Sequence, residues 1–131
     1  MAEILKGGKQ LEKRLFALER NAQRTILSRA VAAGAEIIRD EARRLAPRDP
    51  ASKVHAADAI VARRKKVSRT RALFEIGYSK KKAWYLRFQE LGTKFHAAQP
   101  HLRPAMDTKK DVAVNEVGRV LKDGIDVARR A

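Results

Sequence analysis

The chain has no cysteine, one Trp, two Tyr, four Phe and four Pro in 131 residues, and no unbroken apolar run of membrane length. Without cysteine there can be neither a disulfide framework nor a thiolate metal site, which suits a reducing compartment. Without a stretch of roughly 20 apolar residues no helix can span a bilayer, so no membrane is expected among its partners. Met1 to Gly8 offers no apolar core of signal-peptide length, and the protein is expected to work where it is made. No Gly-x-Gly-x-x-Gly, Walker loop or Gly-x-Ser-x-Gly occurs, which removes the usual grounds for nucleotide or serine chemistry. Internal repeats and low-complexity tracts are also missing, and a chain of this length is expected to form one domain over residues 1–131.

Acidic residues are scarce as well. Fifteen Asp and Glu stand against 30 Lys and Arg, a net charge of +15 at neutral pH that would draw polyanions from a distance. Between Asp58 and Arg87 ten Lys or Arg face only Asp58 and Glu75, so more than half of the surplus lies in less than a quarter of the chain. Arg63, Arg64, Lys65, Lys66, Arg69, Lys80, Lys81 and Lys82 are the candidates for contact with DNA or an acidic partner. The competing explanation is that a run such as Arg63 to Lys66 is a solvated edge that discourages strand-to-strand aggregation.

Leu11, Leu15, Leu18, Ala22, Ile26, Ala30, Ala33 and Ile37 recur every three or four residues, about 3.7 on average, and predict a helix over Lys9 to Leu45. A kink is expected near Asn21 or at Gly34 if the helix is not continuous. The small residues from Ala30 to Ala35 would let another backbone approach closely, and a helix of this length is expected to meet a neighbouring subunit. Arg43 and Arg44 complement its dipole and Pro47 ends it. A loop follows, with a short helical turn expected at Val54 to Ala57. Ile60 to Val67 and Arg71 to Tyr78 read as two strands joined by Ser68-Arg69-Thr70; in the second, Ala72, Phe74, Ile76 and Tyr78 alternate with more polar positions. Met106, Ala113, Val117, Val120, Leu121, Gly124, Ile125 and Ala128 mark one face of a terminal helix. The expected fold is α+β, a long N-terminal helix and a C-terminal helix packed on a small antiparallel β-sheet.

Most of the scarce residue types gather in one place. Trp84 to Ala105 contains the only Trp, two of the four Phe and two of the four Pro. Its amphipathic opening, Trp84 to Leu91, stops at Gly92-Thr93, where glycine supplies the backbone freedom for a reversal. Pro100 and Pro104 bracket His101-Leu102-Arg103, and Pro104 suits the first turn of the helix that follows. Glu90 could be read as a base, but accepting bonds from loop backbone or pairing with Arg103 is its expected role. His55, His96 and His101 have no helical ligand spacing, so neither a metal nor any other cofactor is expected, and no residue is assigned a catalytic role.

The pattern Tyr85-Leu86-Arg87-Phe88-Gln89-Glu90-Leu91-Gly92-Thr93, followed by Ala98-Gln99-Pro100-His101-Leu102-Arg103-Pro104-Ala105, resembles the neck or minor tail-component proteins of long-tailed, Hong-Kong-97-type phages. Gly34-Ala35, Ala42 and Leu45-Ala46-Pro47 are similar to that family's first helix and its Ala-Pro stop, and Glu75-Ile76-Gly77 to its second strand. The resemblance runs from about Leu11 to Ile125, with two departures. Asp49 to Val54 replaces the usual Thr-Gly-x-Leu, and His101 stands where Phe is usual.

The resemblance implies a structural virion protein of the neck or tail, assembled in the host cytoplasm and not an enzyme. It would form a ring between connector and tail tube, with six copies favoured over twelve. Its partners would be the connector or head-closure protein and the tail terminator or tail tube protein, with channel DNA as a further contact. Glu90, Gly92, Thr93, Pro100, Leu102, Arg103 and Pro104 carry the motif and would shape the contacting loop. From charge alone the alternative is a free basic nucleic-acid-binding module, although no helix-turn-helix, zinc finger or aromatic RNA-binding motif is present. Replacing Gly92 by Val should strain the reversal and block assembly; joined particles at normal yield would contradict a turn at that position.

Overall fold

The computed structural model describes residues 7–46, 59–79 and 100–130. In order these form α1 (Gly8–Phe16), α2 (Arg20–Leu45), β1 (Ile60–Val67), β2 (Ala72–Tyr78) and α3 (Leu102–Arg130). The architecture is the expected α+β arrangement, three helices and a two-stranded antiparallel sheet. The turn expected at Val54 to Ala57 and the aromatic segment Trp84 to Thr93 lie outside the described residues.

The continuous helix expected from Lys9 is divided at Ala17-Leu18-Glu19, just before Asn21, and runs unbroken through Gly34. Neither glycine nor proline marks the division. Instead the buried Gln23 side chain donates from Nε2 to the carbonyls of Phe16, at 3.2 Å, and Leu18, holding the end of α1 against the start of α2. The reason is packing. α2 and α3 are antiparallel, with Ile26 beside Gly124 and Gly34 beside Ala113, so a straight extension of α2 would carry Leu11 and Leu15 past the end of α3. The reversal returns them to a cluster around Ile26 and Ile125.

A second cluster lies at the other end of the helix pair, where Ile38, Ala42 and Ala46 meet Ile60, Ala105 and Ala113, with Ile76, Tyr78 and Leu102 packed against them. The sheet is fastened here by Arg43, whose Nε and Nη2 donate to the Ile60 carbonyl at 3.0 and 2.8 Å, so this side chain reaches the sheet as well as completing the helix end. Burying a side chain such as Ile60 or Ile125, both almost wholly enclosed, is worth roughly 1.5–3 kcal/mol, so each cluster is a substantial anchor.

Between the two clusters the helices approach through small residues. Gly34 is buried, and a Cβ there would lie 2.6 Å from Cγ2 of Val117 and 3.1 Å from the Ala113 carbonyl oxygen. The small patch of α2 does admit another backbone closely, and that backbone is the chain's own C-terminal helix. The buried stripe also passes through Gly34, Ile38 and Ala42, one residue on from Ala33 and Ile37, which are half-buried.

In the hairpin Ile60 pairs with Tyr78, Ala62 with Ile76 and Arg64 with Phe74, and an irregularity between Arg64 and Lys66 leaves Val67 opposite Ala72. Directly paired residues share a face, so this bulge turns Lys66 outward with Leu73 and returns Val67 to the helix-facing side with Ala72. The turn closes through Ser68, whose N–H donates to the Arg71 carbonyl at 2.7 Å and whose Oγ accepts from the Arg71 N–H at 3.1 Å.

Gly34→Ala should lower stability by about 1–3 kcal/mol in urea unfolding, because a backbone carbonyl stands in the way and overpacking outweighs the gain of about 1 kcal/mol in helix propensity. Gly124→Ala meets only the Ile26 side chain, at 2.9 Å, and should cost less. A Gly34→Ala variant more stable than the parent would contradict the close approach.

Candidate functional site

The basic run of β1 is divided by the strand's two-residue period. Arg63 and Lys65 stand on the outer face and share Glu75, at 3.8 and 3.5 Å, while Arg63 also donates from Nη2 to the Tyr78 carbonyl at 3.0 Å. Arg63 is thus engaged within the hairpin. Lys66 and Arg69 are exposed at its outer end. Arg64, paired with Phe74, faces the helix side instead, where it borders a groove with Arg24 and Arg29 of α2. No sequence signal near Arg64 marks those two arginines, since they precede it by 40 and 35 positions. Lys80, Lys81 and Lys82 lie outside the described residues, as do Glu90, Gly92 and Thr93.

Pro100, Leu102, Arg103 and Pro104 are described, and they form the approach to α3 and its first turn. The first helical bond runs from the Ala105 N–H to the His101 carbonyl at 3.3 Å, which leaves Pro104 at a position where a missing donor costs nothing. Leu102 packs into the cluster below the sheet, whereas Arg103 is exposed. Enclosed between them and β2 is His101. It is fully buried, and its Nε2 shares a 2.6 Å hydrogen bond with the Tyr78 hydroxyl, the two rings meeting edge to face at 5.6 Å. The residue that departs from the resembled pattern is therefore a polar pin between the last residue of β2 and the entrance to α3. His55 and His96 lie outside the described residues.

Glu41 and Glu116 serve as structural partners. Arg44 hydrogen-bonds Glu41 from Nε at 3.1 and 3.2 Å and holds that carboxyl below the usual carboxylate range; Glu41 in turn raises Arg44. Arg119 does the same to Glu116, the hydrogen bond being the main cause, and also pairs with Asp123 at 3.1 Å. Neither carboxyl is poised to exchange a proton near neutral pH. Among the described residues no group of three His, Cys, Asp or Glu is placed to hold a metal, and no helix is long and apolar enough to cross a membrane. A larger, mainly apolar groove of about 590 Å³ runs between the N-terminal half of α2 and the C-terminal half of α3. Ala22, Ile26, Val120, Gly124 and Val127 line it, and Val127 is 66% exposed.

Residues 9–92 match the family model described as "Bacteriophage HK97-gp10, putative tail-component", well over half of the chain. The matched range ends before Pro100 and includes α1 from Lys9 onward, α2 and the whole hairpin. No curated protein gives a significant match. Nor does any solved structure.

Tyr78→Phe and His101→Phe should each lower stability by about 1 kcal/mol, the ordinary net worth of one hydrogen bond. The double variant should cost less than the sum of the two, by about 0.5 kcal/mol or more, since both remove the same interaction. Strictly additive losses in urea unfolding would contradict the pin.

Proposed function

Because the chain belongs to the HK97-gp10-like tail-component family of bacteriophages, we propose that it acts at the head-to-tail junction, as a ring seated between the connector and the tail tube. Family membership makes it a structural component of a phage tail, a virion protein that contacts other structural proteins of the particle. The finer position rests on the resemblance of the motif from Tyr85 to Ala105 to neck proteins, with the family match over residues 9–92 as the observation that carries it.

The mechanism is geometric. A rigid α2–α3 pair presents the hairpin beside it and Pro100 at the entrance to α3, and identical surfaces repeated about an axis close a ring. Six copies fit the sixfold symmetry of long tails, and twelve the connector. Glu90, Gly92 and Thr93 would shape the loop that reaches an axial neighbour, and Pro100, Leu102, Arg103 and Pro104 would fix its angle of departure into α3. Support for assembly also comes from the exposed apolar side chains of Phe16, Val112 and Val127, which are 44, 49 and 66% accessible in the isolated chain. Lys66, Arg69 and the triplet Lys80 to Lys82 would meet an acidic rim or channel DNA.

Disrupting the gene in its native phage or prophage should leave filled heads and complete tails lying separate in electron micrographs, with joining restored when the gene is supplied in trans. Intact, infectious virions from the disrupted gene would contradict a role in joining.

A further inference from the structure

An open groove of about 300 Å³ lies between α2 and the helix-facing side of β1, with exposed arginines along it. Arg24 and Arg29 reach it from α2 and Arg64 from β1, with the hydroxyls of Thr25 and Ser28 between them and Ala32 and Val67 as its apolar floor. No carboxylate lines it. Arg29 also lines the adjacent apolar groove, which it shares with Glu19 and Asp123. The ion pairs of the described residues involve Arg39, Arg44, Arg63, Lys65 and Arg119, and none of the three groove arginines.

Three guanidinium groups thus line one groove with no carboxylate among its lining residues and no ion pair of their own among the described residues. The arrangement therefore favours an anion from outside. The donor count indicates which kind. Each guanidinium presents five N–H donors in a planar fork, and one fork already satisfies a carboxylate. Three forks with two hydroxyls along one groove therefore exceed the needs of a single anion and suit the successive phosphates of a polyanion. The bulge after Arg64 contributes: it sends Lys66 to the outer face, so the groove receives one arginine and one small apolar residue from β1 rather than a second flexible cation. The outer cations Arg63 and Lys65 are held by Glu75, which leaves the groove as the concave basic surface free of internal partners among the described residues.

We propose that this groove is a binding site for the phosphate backbone of nucleic acid, with Arg24, Arg29 and Arg64 each meeting a phosphate along the strand and Thr25 and Ser28 as auxiliary donors. Contact of this kind positions a duplex without reading its sequence. The site concerns the chemistry of the chain itself and does not depend on where in the particle the chain sits. A chain that joins heads to tails but binds no duplex would overturn the groove alone.

The test is fluorescence anisotropy of a labelled duplex of about 20 base pairs, titrated with the full chain over a range of salt concentrations. Replacing Arg24, Arg29 and Arg64 together by Gln should weaken binding about tenfold or more and reduce the slope of log affinity against log salt by about 2 to 3, at roughly 0.9 for each phosphate no longer neutralised. The charge-matched variant with Gln at Lys110, Lys122 and Arg130, exposed positions on α3, should change affinity by less than about threefold. Circular dichroism establishes that each variant is folded; if the triple variant is not, Arg64→Gln alone should still lower the slope by about 0.9. Equal losses from the two triple variants would reduce the effect to overall charge and overturn the site. Binding of polyglutamate as tight as that of duplex at equal salt, abolished by the same arginine replacements, would overturn phosphate recognition in favour of an acidic protein surface.

Discussion

The approach of α2 and α3 at Gly34 is the constraint from which the rest of the structure follows. With Val117 and the Ala113 carbonyl so near the position of a missing Cβ, the two long helices are held as one antiparallel pair, and each end of that pair becomes a place to attach something. At one end the hairpin and the entrance to α3 enclose Ile38, Ile60 and Ala105. At the other the reversal before α2 brings Leu11 and Leu15 onto Ile125. Small residues in the middle and larger ones at the ends give a stiff rod, suited to passing load between neighbours in an assembly.

The polar interactions act at the joints of this rod. Gln23 holds α1 to α2, Arg43 holds α2 to β1, and His101 with Tyr78 holds β2 to α3. Each links elements that are separated in sequence or that change direction, and each places at least one polar group where water is largely excluded, which makes the geometry specific.

Much of this was legible in the sequence, and the limits have physical causes. The alternation from Ala72 to Tyr78 and the recurrence from Met106 to Ala128 identified β2 and α3, although Met106, placed on the packed face, is 44% exposed. The division before α2 was hidden, since a side-chain amide makes it and the residues at Ala17 to Glu19 are compatible with helix. The stripe through Gly34 was misplaced by one residue because an apolar count passes over glycine, the residue that the close approach requires. Glu75-Ile76-Gly77 was placed correctly in the second strand, whereas the meaning of His101 depended on Tyr78 lying opposite it, 23 positions away. The family match covers the helices and the hairpin, and the motif from Pro100 onward stands on its geometry and its resemblance.

The basic run of β1 shows why charge alone misleads. Four consecutive cations look equivalent in sequence, yet the pleat and one bulge assign Arg63 and Lys65 to Glu75, Lys66 to solvent, and Arg64 to a groove shared with α2. The central claim, a ring of this chain between connector and tail tube, is tested most directly by an electron cryomicroscopy reconstruction of the neck of the intact virion. The account predicts a closed ring at that level into which the α2–α3 pair with its hairpin fits once per subunit. Density for this fold found only at the tail tip, or along the tube, would contradict it.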